Sequence, residues 1–349
     1  MASRPRVVFF GSPEFAVPSL ERVAAETELC AVVTQPDRPA GRGRELGAPA
    51  VKRAAQRVVP GVPVLQPEKI RTGDFEQTLR ALDAALFVVV AYGRILPQAI
   101  LDLPALGPFN VHASLLPRGR GAAPIQWSII NGDPVTGVSI MRMEAGLDTG
   151  PVLARAETPI ADDDTSATLG ARLATLGADL LGQSLPLIVS GRATFERQDD
   201  ARATLAPILR KEDGHLSFAA PARTVSARAR GVDPWPGATA LLSVAGGARG
   251  EGASPAADAN RSLTSDTSLD DRPLVKLFGP RVLAAQLAVA LTAGAPPGTI
   301  VAIDEGRGAV VACGEGAVAF SEIQLPGRKR LPAQAAAAGR AIAVGMRFE

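Results

Sequence analysis

The stretch RVVFFGSPEF, residues 6–15, decides the fold class of this chain. Its first six residues form an apolar, β-branched run that ends at a glycine, which is typical of a buried strand. A turn and a helix start follow, where Ser12 is available as N-cap and Pro13 fits the first helical position. Because Pro18 comes soon afterwards, the first helical turn is expected to be irregular or to restart there. A strand that runs into a helix is the opening of a βαβ arrangement.

Further apolar runs with the same character follow, separated by Ala- and Leu-rich stretches that suit helices. They are LCAVVTQ (29–35), ALFVVVAYG (85–93), FNVHASL (109–115) and GVSIMRM (137–143). This alternation predicts an α/β, Rossmann-like domain over residues 1–191, with a mostly parallel sheet and helices on both faces. A dinucleotide-binding turn would need G-x-G-x-x-G after the first strand, and only Gly11 is present. We therefore interpret that turn as structural rather than as a nicotinamide site.

The pattern of apolar runs is interrupted after Gly191. Residues 192–206 are polar and lack a continuous apolar run, which is typical of a linker. Over residues 207–349, short apolar runs alternate with Gly-rich turns, which predicts a smaller C-terminal domain built as a β-barrel or sandwich. Within it, residues 246–273 are low in complexity and almost free of large apolar side chains, so we expect a disordered insertion in a loop of that domain.

Composition limits the classes of function. The 349 residues are 46% hydrophobic and 21% charged, with a net charge of +2, which is ordinary for a globular protein and too weakly basic to imply nucleic-acid binding by itself. The apolar run at the N-terminus is too short for a signal peptide or a membrane span. Cys30 and Cys313 make neither a metal pair nor a disulfide framework. We therefore expect no metal site and a reducing, cytoplasmic location.

The candidate catalytic residues lie in FNVHASLLPRGRGAAPIQ (109–126) and in the loop after the next strand. Asn110 and His112 are two residues apart, so on a strand they project from the same face. Their amide and imidazole groups can stabilise an oxyanion. Asp148, in a loop bounded by glycines, can orient His112 and accept a proton. Singly, the Asn-x-His pair can be structural and Asp148 a turn residue; the combination indicates catalysis.

These segments resemble the folate-dependent formyltransferases. The stretches TQPDRPAGRG, VVVAYGRILP and DPWPG are similar to the members that formylate methionine on initiator tRNA. The resemblance implies transfer of a formyl group from 10-formyltetrahydrofolate to the α-amino group of that methionine. By this analogy Asn110 and His112 stabilise the oxyanion, while Asp148 holds His112 and helps to move protons.

The resemblance also implies an OB-like C-terminal barrel, no metal and no tightly bound cofactor, with the folate as a donor substrate. We expect the protein to be monomeric. The folate-binding residues implied by the resemblance are Arg94, Ile95, Leu96, Ser114, Leu115, Leu116 and Pro117.

Three positions depart from the family pattern. Gly119 stands where the family usually has an aromatic residue, which predicts a more flexible turn and a missing acceptor contact. Arg142 replaces a residue that is more often uncharged, and Glu144 replaces a residue that is often Asp. None of the three is a proposed catalytic position.

A basic segment carries the nucleic-acid prediction. Six basic residues lie between Arg38 and Arg57, against one acidic residue, Glu45. The part RPAGRGRELGAP is too rich in Gly and Pro for a helix, so it predicts a mobile loop that is suited to phosphate contacts. Composition alone leaves a solvated basic loop equally acceptable, and the resemblance favours tRNA contacts. The residues predicted to bind tRNA are Arg38, Arg42 and Arg44.

Two alternatives stay open at this point. One is a related formyltransferase that acts on a small amine such as glycinamide ribonucleotide or an amino sugar, a chemistry that needs neither a basic loop nor a second β domain. The other is a non-catalytic tRNA-binding protein, which the intact set of Asn110, His112 and Asp148 disfavours. His215 is interpreted as having no catalytic role.

Overall fold

The structure, a computed structural model, describes residues 4–40, 45–243 and 272–349. Its contacts divide the chain into two compact units. The first comprises Met1–Ile129 and Asp133–Leu209, and the second comprises Ile130–Gly132 and Arg210–Glu349.

The first unit is a layered α/β structure. Its strands are β1 (Arg6–Gly11), β2 (Glu28–Val33), β3 (Arg38–Ala40), β4 (Glu45–Gly47), β5 (Val64–Leu65), β6 (Leu86–Val90), β7 (Pro108–His112), β8 (Val135–Arg142) and β9 (Val152–Pro159). Its helices are α1 (Val17–Glu26), α2 (Ala50–Val58), α3 (Gly73–Ala81), α4 (Gln98–Leu101), α5 (Pro124–Ile130) and α6 (Ser166–Val189).

The main sheet has the strand order β5-β2-β1-β6-β7-β8-β9. The pairs from β5 to β7 are parallel, whereas β7 pairs antiparallel with β8 and β8 with β9. Alternate residues of β1 enter opposite cores: Val7 and Phe9 pack with residues of α1, α2 and α6, whereas Val8 and Phe10 pack with residues of α3 and α4. The predicted α/β fold, with a mostly parallel sheet covered on both faces, is confirmed.

The turn after β1 differs in detail from the sequence prediction. Residues Glu14–Ala16 form a 3-10 turn, and α1 begins at Val17 with Pro18 in its first turn. The expected restart is therefore present. The predicted N-cap role of Ser12 was wrong, because its hydroxyl instead donates to the Tyr92 carbonyl at 3.2 Å and accepts from the Gln35 N–H at 3.2 Å.

The basic segment and the predicted linker both form backbone pairings of the β type. β3 and β4 pair antiparallel, so the ends of the predicted loop form a short hairpin, whose tip at residues 41–44 lies outside the described part of the chain. Residues 192–206 cluster with the first unit. Backbone bridges join Glu196 to Val152 and Leu205 to Arg120, so this segment is held along the surface of that unit.

The second unit is dominated by an antiparallel sheet. Its elements are α7 (Ala222–Gly231), β10 (Ala238–Ser243), β11 (Leu274–Val282), α8 (Ala285–Thr292), β12 (Ile300–Asp304), β13 (Gly308–Ala312), β14 (Ala317–Gln324), β15 (Leu331–Pro332), α9 (Ala333–Ala338) and β16 (Arg347–Phe348). The strand order is β12-β13-β14-β11-β10-β16, with β15 on β14.

Hydrogen bonds close this sheet on itself. Phe348 in β16 donates its N–H to the Gly298 carbonyl at 2.9 Å, and Ile300 in β12 donates to the Met346 carbonyl at 2.8 Å. The last strand of the order therefore meets the first, as the predicted barrel requires. Among the described residues of both units, the helices are too short or too polar to cross a membrane.

The insertion predicted at 246–273 lies outside the described residues, apart from Arg272 and Pro273. The strands on either side of it, β10 and β11, pair directly through Leu241 and Leu274. Deleting residues 250–270 should therefore leave a short connection between paired strands, because loops between such strands tolerate changes in length. We expect Tm to change by less than about 4 °C in a thermal melt of the full-length variant, with activity retained. A larger loss of Tm, with activity lost in parallel, would show that the insertion is part of the folded domain.

Candidate active site

The strand β7, which carries two of the proposed catalytic residues, has one apolar face and one polar face. Phe109 and Val111 are 1% and 3% exposed and belong to the core packed under α6. Asn110 and His112 alternate with them and therefore project from the opposite face, as predicted. His112 is the last residue of the strand and is 6% exposed, while Asn110 is half-buried.

Two contacts define the imidazole of His112. Its Nε2 lies 2.9 Å from the carbonyl oxygen of Gly119. Because a carbonyl oxygen only accepts, this contact requires the proton on Nε2. The neutral ring then turns the lone pair of Nδ1 toward Asp148, whose Oδ2 lies 3.8 Å away.

Asp148 is held by a short loop between β8 and β9. Its Oδ2 accepts a hydrogen bond from the Gly121 N–H at 2.9 Å. Its backbone has φ of +51°, a left-handed conformation that Asp and Asn adopt more readily than most residues. His112 and Asp148 are thus both tied to the segment 119–121, one through a carbonyl and the other through an N–H.

This arrangement is suited to binding a proton between the two side chains. A proton on Nδ1 of His112 faces the Asp148 carboxylate, which stabilises the positive ring by its charge. The separation of 3.8 Å exceeds a hydrogen bond, so the pair must close before a direct bond forms. Such contacts are often long before substrate binds. Asn110 supplies a neutral donor on the same face.

The residues predicted to bind folate fall in two segments that the structure brings toward one shared neighbour. Met143 packs against the core cluster that contains Leu96 and also against the cluster that contains Leu116. Ser114, Leu116 and Leu96 are buried, at 5%, 1% and 3% exposure, whereas Ile95 is 70% exposed. Leu115 and Pro117 are half-buried.

Hydrogen bonds fix both of these segments. The Ser114 hydroxyl donates to the Arg118 carbonyl at 2.6 Å, and Arg155 donates from Nε to the Leu116 carbonyl at 2.8 Å. The guanidinium of Arg94 donates to Gln35 Oε1 at 3.1 Å and to two carbonyls, those of Pro67 and Glu68. Arg94 therefore braces the surrounding loops in addition to any contact with a ligand.

A cavity of about 510 Å³ opens at the carboxyl ends of β1, β2 and β6. Ligands bind at this edge in open α/β sheets. Two of its lining residues are the cations Arg38 and Arg53. Arg38 is exposed, whereas Arg42 and Arg44, the other two residues predicted to contact tRNA, lie outside the described residues. The remaining lining residues are Ser12, Gln35, Pro36, Gly47, Ala48, Pro49, Ala91, Tyr92 and Gly93.

A polar network anchors the β3–β4 hairpin. Lys52 Nζ donates to Asp37 Oδ2 at 2.7 Å and to Gln66 Oε1 at 2.8 Å, and Gln66 Nε2 donates to Asp37 Oδ1 at 2.7 Å. The hydrogen bonds from Gln66 and then from Lys52 lower the pKa of the Asp37 carboxyl. Lys52 is therefore committed to the base of the hairpin, which sequence alone did not distinguish from the other basic residues.

Two of the three departures from the family pattern have local explanations, whereas nothing in the structure explains Glu144. Gly119 has φ of +71°, and its N–H donates to Thr204 Oγ1 at 2.9 Å while its carbonyl contacts His112. The turn is thus bonded on both sides of the glycine. Arg142 lies over the rings of Phe109 and Phe195, at 5.7 and 5.1 Å from their centroids. Arg142 thus packs against these two rings at the carboxyl end of β8.

The sequence did not indicate a role for Arg120 or Gln198. Gln198 donates to the backbone of the Asp148 loop, and Arg120 donates to Gln198. Arg120 is buried, at 7% exposure. Gln198 lies in the segment that was predicted to be a linker, and nothing in the local sequence indicated otherwise. In the described part of the chain, no cluster of three or more His, Cys, Asp and Glu side chains is arranged to hold a metal ion.

Comparison with known families gives two matches that together span most of the chain. A family model described as formyl transferase matches residues 5–185. A second, described as formyl transferase, C-terminal domain, matches residues 208–252 and 266–341.

Individual proteins agree with the family models. A methionyl-tRNA formyltransferase of Solibacter usitatus is 44% identical over 329 residues, covering 94% of this chain and 93% of its own. One of Trichlorobacter lovleyi is 42% identical over 341 residues, covering 97% and 96%. The solved structure of HypX from Aquifex aeolicus in complex with tetrahydrofolic acid aligns with a TM-score of 0.59 at 15% identity, over 98% of this chain and 48% of HypX. The chain thus spans about half the length of HypX, and that likeness shows the fold alone.

Proposed function

The chain belongs to the formyl transferase family, and we propose that it transfers a formyl group to the α-amino group of methionine on initiator methionyl-tRNA. The observation that carries the proposal is the approach of Asp148 to His112 at the end of β7, with Asn110 on the same face of that strand, in a chain whose relatives of nearly equal length are methionyl-tRNA formyltransferases. The family takes its formyl group from a folate, and we propose 10-formyltetrahydrofolate as the donor substrate. The reaction serves initiation of translation, for which we propose a cytoplasmic location.

The site residues divide the chemistry between them. The unprotonated amine attacks the formyl carbon, so a C–N bond forms and the carbonyl electron pair moves to oxygen. Asn110 donates a hydrogen bond to that oxyanion, and protonated His112 stabilises its negative charge through the charge of the ring. The bond from carbon to the folate nitrogen then breaks, and the proton lost by the amine passes through the His112–Asp148 pair to that nitrogen. The products are the formylated amine and tetrahydrofolate.

The folate is proposed to lie between the segment 94–96 and the turn 114–117. The support is that Met143 packs against the clusters of both segments, while the exposed Ile95 leaves apolar surface beside them. An apolar wall with a few fixed backbone groups suits a flat heterocycle.

The acceptor end of the tRNA is proposed to approach the cavity beside the β3–β4 hairpin. Arg38 and Arg53 give this edge of the sheet positive charge, and the backbone of the hairpin base is anchored by Lys52. Cations placed here attract phosphates through a term that depends strongly on salt.

The decisive test follows formyl incorporation from 10-formyltetrahydrofolate into two acceptors, methionylated initiator tRNA and glycinamide ribonucleotide. Formylation of the charged tRNA alone supports the proposal. Formylation of the small amine alone would keep the proposed chemistry and overturn the tRNA assignment. Tight tRNA binding with neither acceptor formylated would favour the non-catalytic alternative.

Replacing Arg38 and Arg42 together by alanine should weaken tRNA binding and flatten its salt dependence. Each lost phosphate contact is expected to reduce the slope of log K against log salt concentration by about 1. The measurement is tRNA affinity at several salt concentrations, with folate affinity as a second readout that should not change. Arg80→Ala, which removes an exposed arginine paired with Glu76 on α3, is the matched control. An unchanged slope in the double variant would rule out phosphate contacts by this hairpin.

A further inference from the structure

The segment 198–206 runs alongside the residues that hold both proposed catalytic side chains. Arg120 donates its N–H to the Thr204 carbonyl at 2.9 Å, and its own carbonyl accepts from the Ala206 N–H at 2.7 Å. The two chain segments approach so closely at Gly121 that a Cβ added there would lie 2.6 Å from the Ala206 carbonyl oxygen. The segment 119–121 is therefore pinned by 204–206 on one side, while it contacts His112 and Asp148 on the other.

Gln198 makes the direct connection to the Asp148 loop. Its Nε2 donates to the carbonyl of Asp148 and to the carbonyl of Gly150, both at 2.7 Å. One side-chain amide thus uses both of its N–H groups on the backbone that flanks the proposed catalytic carboxylate. The loop needs such support, because Asp148 has a left-handed backbone and Gly150 is so close to the Arg142 carbonyl that a Cβ would meet its oxygen at 1.8 Å.

Arg120 fixes the orientation of that amide. Its Nε donates to Gln198 Oε1 at 3.0 Å, so the oxygen of the amide faces Arg120 and its nitrogen faces the loop. The same guanidinium donates from an Nη to Asp200 Oδ1 at 2.7 Å. The Arg120 side chain is 8% exposed, whereas Asp200 is 82% exposed, so the buried cation is held by a partner at the surface. A buried cation with two fixed acceptors has few other orientations available.

We propose that Gln198 is a positioning residue for formyl transfer: its amide, oriented by Arg120, sets the position of Asp148 opposite His112. The inference rests on the proposed function. It gives the segment predicted as a linker a role in the active site, since the side chain that fixes the loop comes from that segment. Outer residues that orient a reacting group typically change activity by about 10- to 100-fold when they are lost.

The test variant is Gln198→Glu, which keeps the length of the side chain and its contact with Arg120. A carboxylate cannot donate to the carbonyls of Asp148 and Gly150, so the loop is released and repelled. We expect kcat to fall about 10- to 100-fold, with KM for the donor and for methionylated tRNA nearly unchanged. Asp199→Asn is the matched control, since it changes the exposed neighbouring carboxylate, which caps the Ala201 N–H, and should leave kcat as it is.

A double-variant cycle separates positioning from general stability. If Gln198 acts through Asp148, Gln198→Glu should change kcat by no more than about twofold when Asp148 is already Asn. A loss of the same size in both backgrounds would overturn the proposal and indicate a structural role. An unchanged kcat in the Gln198→Glu single variant would also overturn it.

Arg120→Lys provides the second variant, should Gln198→Glu fail to fold. Lysine keeps a positive charge near Asp200 but cannot reproduce the guanidinium fork that orients the amide. The expected result is a smaller loss of kcat that again disappears in the Asp148→Asn background, and a loss that persists there would contradict the inference. Wild-type protein that formylates neither acceptor would instead refute the proposed function, which distinguishes the two failures.

Discussion

Replacing His112 by alanine should lower kcat for formyl transfer by about 10²- to 10⁴-fold while leaving tRNA affinity almost unchanged. The imidazole is buried against Gly119 and faces Asp148, so its removal takes away both the positive charge proposed to stabilise the oxyanion and the proposed path of the proton. The basic hairpin proposed to bind tRNA lies at the ends of other strands, so the substitution should not affect its contacts with tRNA phosphates.

The measurement is single-turnover formylation at saturating donor, together with tRNA affinity from direct binding. His215→Ala is the matched control, because His215 is the other histidine of the chain and is exposed in the second unit. Its loss should leave kcat unchanged. Near-normal turnover in His112→Ala would remove this residue from the chemistry and leave Asn110 as the principal donor.

The strands of the first unit were predictable because burial in a parallel sheet demands continuous apolar runs. RVVFFG at residues 6–11 coincides with β1. In the antiparallel sheet of the second unit, β10 to β13 overlap the apolar runs ATALLSV, PLVKLF, GTIVAI and GAVVAC. The pairing of β3 with β4 was missed, since a segment rich in Gly and Pro has no apolar pattern to indicate a strand. Pairing there depends on contacts such as the Lys52–Asp37 network, which join residues distant in sequence.

The presence or absence of a local sequence pattern also explains which parts of the site were predictable. Asn110 and His112 lie two residues apart on one strand, so their common face follows from the period of a strand. The distance to Asp148 could not be predicted, because it depends on how β7 and β8 pair and on the loop that follows. Gln198 and Arg120 contribute through the tertiary approach of two chain segments, and neither segment carries a local pattern for it.

The fold thus places the two side chains proposed to move the proton on different supports. His112 ends a central strand whose neighbours on both sides fix it, whereas Asp148 depends on a loop with unusual backbone geometry. Small displacements of a catalytic group reduce rate sharply because orientation is lost. Activity should therefore be more sensitive to changes in the contacts of the Asp148 loop than to changes in the packing of β7.

Replacing Asp148 by asparagine is the second substitution with a large expected effect. Asparagine has the same size, tolerates the left-handed backbone found at this position, and can still accept from the Gly121 N–H. What it lacks is the negative charge that is proposed to stabilise protonated His112. We expect kcat to fall about 10²- to 10³-fold, with Tm and both KM values nearly unchanged, because the charge matters only while the proton is in transit.

The comparison variant is Glu144→Gln, which removes an exposed carboxylate close to the same loop and should leave kcat as it is. The two variants differ in whether the lost charge faces His112, so a general effect of charge on tRNA binding would appear in both. Full activity of Asp148→Asn would mean that the carboxylate only shapes the loop. A collapse of Tm would have the same implication, since the substitution would then be acting through the backbone. A fall in kcat confined to Asp148→Asn, at unchanged Tm, assigns the proton path to the His112–Asp148 pair.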